Sequence, residues 1–323
     1  MINDQAATTA TTPQQAQRSP LLAYLQLIRA PNVFTAVADV MMGFLFMNGS
    51  LAPAGQFAML VVASCLLYWA GMVLNDVFDI EVDAEQRPQR PIPSGRVPLA
   101  TAQVLGWGFL AGGVGVAWLA SLLFGDWRAG LIATPLAASI VAYDAVLKRT
   151  PLGPIAMGSC RFFNVLLGMS LAFDLAGGDA LPWTGANWLV AAGIGVYIAG
   201  VTWFARREAT QSGRVHLIAA TAVMFVGIGL LAWLPWWDDR VGIALQLWWL
   251  FWAIIYALIG WRCVRAIVNP TPKLVQSAVV QCILSLIVLD AAVAAAVLEP
   301  FWGFAIVALV IPTMFLGRWI YST

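Results

Sequence analysis

Charge is scarce in this chain. Only 10% of its 323 residues are Asp, Glu, Lys or Arg, 61% are hydrophobic, and there is a single histidine. A soluble domain carries about 25% charged residues, so this composition excludes one and points to a polytopic membrane protein. A net charge of +1 leaves no excess to attract nucleic acid. The four cysteines (Cys65, Cys160, Cys263, Cys282) stand singly in apolar runs, without a CxxC pair or a neighbouring histidine. They read as small core residues, neither disulfides nor metal ligands. Residues 1–20, rich in Ala, Thr and Gln, lack the apolar segment of a signal peptide and read as a disordered cytosolic tail. Residues 21–323 then form a single transmembrane domain.

What fills the rest is hydrophobic. A bilayer-spanning helix needs roughly 20 apolar residues, and ten runs approach this: about 23–48, 56–76, 99–123, 128–147, 155–175, 185–205, 215–236, 243–266, 276–297 and 301–320. A short break at Glu299-Pro300 separates the last two, so the expectation is an all-α bundle of nine or ten transmembrane helices. With a cytosolic N-terminus, all of the 17 Lys and Arg except Arg128 and Arg240 fall on or near the cytosolic side. The positive-inside rule places both termini there if there are ten spans. Among the interior polar residues, Asp290 lies inside the ninth run, and an intramembrane carboxylate is a functional candidate by default. The lone His216 reads as interfacial. The tryptophans around residues 233–252 read as an aromatic belt.

The charge that is present is concentrated. Asn75, Asp76, Asp79 and Asp83 close the second run, and Arg87, Arg90 and Arg96 follow within a loop broken by Pro88, Pro91 and Pro93. On a continuous helix the three aspartates share one face, at the end where the macrodipole disfavours carboxylates. Such a stripe calls for cations. Mg²⁺ prefers carboxylate oxygens and shares its shell with substrate phosphates, and arginine forks suit phosphate oxygens. The loop, turning at Gly95, is expected to fold back over the acids.

Asn75-Asp76-x-x-Asp79-x-x-x-Asp83 followed by Arg87-Pro88-x-Arg90-Pro91-Ile92-Pro93-Ser94-Gly95 resembles the first aspartate-rich motif of the UbiA superfamily of intramembrane prenyltransferases. Arg29-Ala30-Pro31-Asn32, Tyr143-Asp144-x-x-Leu147-Lys148-Arg149 and Arg161-x-x-Asn164-x-x-x-Gly168 are similar to its first, fourth and fifth helices. The resemblance implies a UbiA-like bundle around a central cavity, open to lipid and capped on the cytosolic side. It implies Mg²⁺-dependent transfer of an isoprenyl group from an isoprenyl diphosphate to a lipophilic or aromatic acceptor. The metal set would be Asn75, Asp76, Asp79 and Asp83. Asn32, Asn75, Arg87, Arg90, Arg96, Tyr143, Lys148, Arg149 and Asn164 would hold the diphosphate.

The sequence departs from the family where a second aspartate motif belongs. That place reads Trp203-Phe204-Ala205-Arg206-Arg207-Glu208, and Glu208 is the sole acid between Asp179 and Asp238. A weak repeat, Tyr68-Trp69-Ala70-Gly71 against Tyr197-Ile198-Ala199-Gly200, puts Glu208 opposite Asp79. Arg206 and Arg207 are expected to neutralise phosphate in place of a second metal, with Glu208 or Asp144 as a supplementary ligand. Three other readings stay open: a catalytically weakened isoprenoid-binding or lipid-handling homologue, an intramembrane terpene cyclase, and a secondary transporter for an anionic amphiphile.

Overall fold

The computed structural model describes residues 19–172, 182–206, 213–242 and 245–321. The N-terminal tail expected over residues 1–20 lies almost entirely outside them. Thirteen helices follow in order: α1 Pro20–Leu27, α2 Val33–Asn48, α3 Ala54–Phe78, α4 Ile80–Gln86, α5 Leu99–Phe124, α6 Arg128–Ala145, α7 Gly153–Gly168, α8 Gly185–Ala205, α9 Arg214–Ala232, α10 Leu245–Val268, α11 Pro272–Val297, α12 Pro300–Val307 and α13 Val310–Tyr321. No strand occurs among the described residues.

Eight of the ten apolar runs are helices long and apolar enough to cross a membrane. The other two, α6 and α7, are 18 and 16 residues long. Pro135 sits inside α6, where it withdraws a backbone donor. The last run is also interrupted: α12 gives way to α13 at Ala308-Leu309, four and three residues before Pro312. A proline ring clashes with the carbonyl of residue i−4, so Pro312 accounts for that break.

Helix α2 is the central element. Of its best membrane window 72% is buried, against 22% for the peripheral α5. It packs on α3, α7 and α11. Lipid tails are as apolar as leucine, so close contact rather than hydrophobicity joins such helices. Two glycine contacts show this. A Cβ on Gly43 of α2 would fall 2.7 Å from the Val165 carbonyl oxygen of α7, and one on Gly158 of α7 would fall 2.5 Å from the Gly195 carbonyl of α8. These backbone approaches place α7 between the first and second halves of the bundle.

Candidate active site at the mouth of the bundle

Helix α3 carries the acidic stripe to one end of the bundle and kinks there. Asp79 leaves helical geometry (φ −99°, ψ 9°) and separates α3 from α4. The i to i−4 bonds run on through the bend, from Asp79 N–H to Asn75 O (3.1 Å) and from Asp83 N–H to Asp79 O (2.8 Å). The expectation that all three aspartates share one face needs correction. Asp76 and Asp83, two turns apart, share one guanidinium, while Asp79 turns to a different pair of cations.

The proline-broken loop does fold back over the acids. From it Arg90 Nη1 reaches Asp76 Oδ1 at 3.2 Å and also binds Asp83 Oδ2. Arg29 adds a second cation to Asp76, its Nη2 lying 3.3 Å from Oδ1. On the other side, Lys148 Nζ lies 2.8 Å from Asp79 Oδ2 and Arg149 Nη2 3.3 Å from Oδ1. Asn75 donates through Nδ2 to Asp144 Oδ1 at 2.9 Å. Four carboxylates (Asp76, Asp79, Asp83, Asp144) therefore meet four cations (Arg29, Arg90, Lys148, Arg149) in one cluster of balanced charge. Tyr143 lies within electrostatic reach of Asp144, Asp79 and Arg29.

Local sequence explains the gathering. Asp144, Lys148 and Arg149 are brought in where α6 ends at Ala145 and a 3₁₀ turn, Leu147–Arg149, points the basic pair at the α3 terminus. Arg29 occupies a left-handed conformation (φ 46°) between α1 and the 3₁₀ turn Ala30–Asn32. A non-glycine residue held there carries conformational strain of order 1 kcal/mol or more, a feature concentrated at functional sites.

Other expected residues lie elsewhere. Arg96 turns from the acids and bonds Gln26 Oε1 (2.8 Å), the Gln89 carbonyl and Ser94; Gln26 in turn donates to the Ile320 carbonyl at the end of α13. Arg87 joins no ion pair among the described residues. Asn32 faces the Tyr68 hydroxyl rather than the acids. Asn164 is buried below the mouth, bonded to Asp39, Ser64 and the Ala36 carbonyl. Arg206 ends α8, exposed, while Arg207 and Glu208 fall outside the described residues. An apolar cavity of about 340 Å³, lined by Trp233, Trp249, Trp252 and Tyr256, lies between α9 and α10 away from the acids.

Sequence reasoning left out Arg29, Asp39, Arg161 and Tyr68 as site residues. The signal for Asp39 was present, since it stands in an apolar run just as Asp290 does. Arg29 had a signal too, as the head of the Arg29-Ala30-Pro31-Asn32 motif, but only the fold shows that it pairs with Asp76.

The donor set suits Mg²⁺. The carboxylates of Asp76, Asp79, Asp83 and Asp144 gather at the mouth, each already matched to a cationic or amide donor that an incoming anion can take over. Among the described residues no three acids, histidines or cysteines form a cage as they are placed. Mg²⁺ requires no such cage, since it keeps several waters and binds through one or two carboxylates plus substrate phosphates.

The chain is similar to several known proteins. The curated relatives include digeranylgeranylglyceryl phosphate synthases from Methanoculleus marisnigri (34% identical over 42% of this chain and 46% of the relative) and Methanopyrus kandleri (36% identical, over 45% and 53%). The chain thus matches about half the length of these relatives. Among solved structures, one concerning digeranylgeranylglyceryl phosphate synthase in membranes superposes with a TM-score of 0.62 at 22% identity, covering 87% of this chain and 99% of that one. A UbiA homologue from Archaeoglobus fulgidus bound to GPP and Mg²⁺ gives 0.58 at 15%, covering 88% and 99%. Identities this low speak for the fold alone. The model of the UbiA prenyltransferase family, however, matches residues 36–279, a stretch holding every member of the mouth cluster but Arg29. An all-helical bundle whose kinked third helix and arginine loop carry that family's signature, matched over most of its length, belongs to the UbiA prenyltransferase family.

Proposed function

We propose that this chain transfers an isoprenyl group from an isoprenyl diphosphate to a lipophilic acceptor within the membrane, with Mg²⁺ held by Asp76, Asp79, Asp83 and Asn75. The observation that carries the reading is the charge-balanced cluster at the mouth. Both signs are fixed in one place beside an apolar bundle, so a ligand bringing a metal ion and a polyanion together can replace the internal pairs like for like. The bound ion would stabilise negative charge as the diphosphate departs.

The remaining work falls to the chain. Arg29 and Arg90 exchange Asp76 and Asp83 for phosphate oxygens, and Lys148 and Arg149 exchange Asp79. Preorganised cations placed where charge develops lower the barrier most. Breaking the allylic C–O bond leaves a carbocation, which the face of Tyr143 can stabilise. The acceptor's nucleophilic atom then bonds to that carbon and its proton leaves through the mouth. The relatives' names favour a glycerophosphate-type lipid as acceptor. By the distribution of lysine and arginine the mouth faces the cytosol. Arg206 and Arg207 take the part of a second metal in neutralising phosphate, with Glu208 or Asp144 in support.

The test is incubation of the purified protein with Mg²⁺, geranyl, farnesyl or geranylgeranyl diphosphate and candidate acceptors, following pyrophosphate release. Release that Asp79→Ala abolishes supports the proposal. Metal-dependent donor binding without release from any donor would overturn it in favour of a binding homologue, the reading that the missing second aspartate motif supports.

A further inference from the structure

A second polar cluster lies beneath the mouth, and the chemistry above makes no use of it. Asp39 of α2 and Asp290 of α11 are both fully buried, and their carboxyl groups interact where α2 packs on α11. Asp39 Oδ2 accepts from Arg161 Nη1 (2.9 Å) and from Asn164 Nδ2 (2.9 Å). Arg161 Nη2 also donates to Thr35 Oγ1 at 2.8 Å, and Ser64 Oγ donates to Asn164 Oδ1 at 2.7 Å. Among the described residues nothing donates to Asp39 Oδ1 or to either oxygen of Asp290 when both are carboxylates. Two carboxylates then face one guanidinium in the membrane interior, an excess negative charge that burial makes prohibitive.

One proton resolves both problems. Placed between the two acids it gives Asp39 Oδ1 a donor and leaves the cluster neutral. The surroundings decide which acid holds it. Asp39 receives two donors, one of them cationic, and is the ionised partner. Asp290 receives none. We infer that Asp290 is a neutral carboxylic acid that donates to Asp39 and, through it, positions Arg161 beneath the mouth site.

Arg161 is placed for such a role. Its guanidinium lies 5.9 Å above the Tyr68 ring, and its side chain keeps 13% exposure where Asp39 has none. Tyr68 precedes Asp76 by eight residues on α3, roughly 12 Å along the axis. The guanidinium therefore stands about two turns below the diphosphate site. The charged and titratable groups facing the acid pair are Arg161 from α7 and, across its guanidinium, Tyr68 from α3. The part played in catalysis rests on the function proposed above; the location of the proton does not.

The two placements of the proton predict opposite mutants. Asparagine copies a neutral carboxylic acid, since its amide donates where the acid O–H did. Asp290→Asn is therefore expected to keep the thermal midpoint in detergent and the KM for the isoprenyl diphosphate. Asp39→Asn removes the counter-ion of Arg161, and kcat/KM is expected to fall about tenfold or more, equal to 1.4 kcal/mol of transition-state stabilisation. Infrared spectra supply a readout independent of turnover. The C=O stretch of a protonated carboxylic acid, shifted by D₂O, is expected in the wild type and lost in Asp290→Asn. An unaltered band in Asp290→Asn overturns the inference. So does the inverse pattern, with Asp39→Asn silent and Asp290→Asn damaging, which would put the proton on Asp39. If the wild type releases no pyrophosphate, the functional proposal fails while the infrared and thermal results still decide the proton's place.

Discussion

At the scale of single residues, the mouth depends on Arg90. It binds two acids at once, so Arg90→Ala takes a cation from Asp83 while Asp76 keeps Arg29. A charge-assisted hydrogen bond is worth about 1.5–3 kcal/mol. Arg90→Ala is accordingly expected to raise the KM for the isoprenyl diphosphate by roughly tenfold or more, and Arg90→Lys to restore only part of it, measured by initial rates of pyrophosphate release. Arg96→Ala should raise that KM less than Arg90→Ala does, because Arg96 ties the loop to Gln26 and bears on the acids through that loop. This pair separates what was legible from what was not. Spacing and charge placed both arginines next to the stripe, but only the turns from Pro91 to Gly95 decide which one looks inward. Arg206→Ala with Arg207→Ala is expected to raise the same KM, and unchanged kinetics would remove these arginines from the site.

At the scale of elements, helix existence was legible because long apolar runs have one folded outcome in a bilayer. Kinks were not. The bend at Asp79 and the break before Pro312 depend on local backbone geometry, and the first of these redistributes the acid stripe between two sets of cations. Which glycines carry helix approach needed the structure. Gly158→Leu is expected to be among the most damaging substitutions outside the site. Its side chain would meet the Gly195 carbonyl and the Ala199 methyl, driving α7 from α8. Overpacking typically costs 1–3 kcal/mol, so a lower thermal midpoint in detergent is expected, with Gly115→Leu, which opens onto free space, as the control.

At the scale of the whole molecule, the family signature fills the first half and fades in the second, where Glu208 is the sole acid near the repeat position. Charge balance at the mouth gives this asymmetry a measurable consequence. Mg²⁺ alone must displace cations from their acids, and diphosphate alone must displace acids from their cations; together they satisfy both sets. The thermal midpoint is therefore expected to rise when both are present, by the mass-action stabilisation of the folded state, and to change much less with either alone. Equal shifts with Mg²⁺ alone would show that the ion pairs do not close the site. The distribution of lysine and arginine predicts a cytosolic C-terminus if there are ten spans, and a reporter fused there tests it.

The hydrogen bonds from Arg96 to Gln26 and from Gln26 to the Ile320 carbonyl join three stretches that are remote in sequence. They work as a clasp: the last helical turn of the chain holds the first helix, and the first helix holds the loop that delivers Arg90. Damage at this turn is thereby transmitted to the diphosphate cluster through the loop. Truncation before Arg318 is expected to leave a folded, membrane-inserted protein whose donor KM has risen. Bulky C-terminal tags should act on the mouth in the same way, so tag position becomes a variable of the enzymology rather than a convenience of purification.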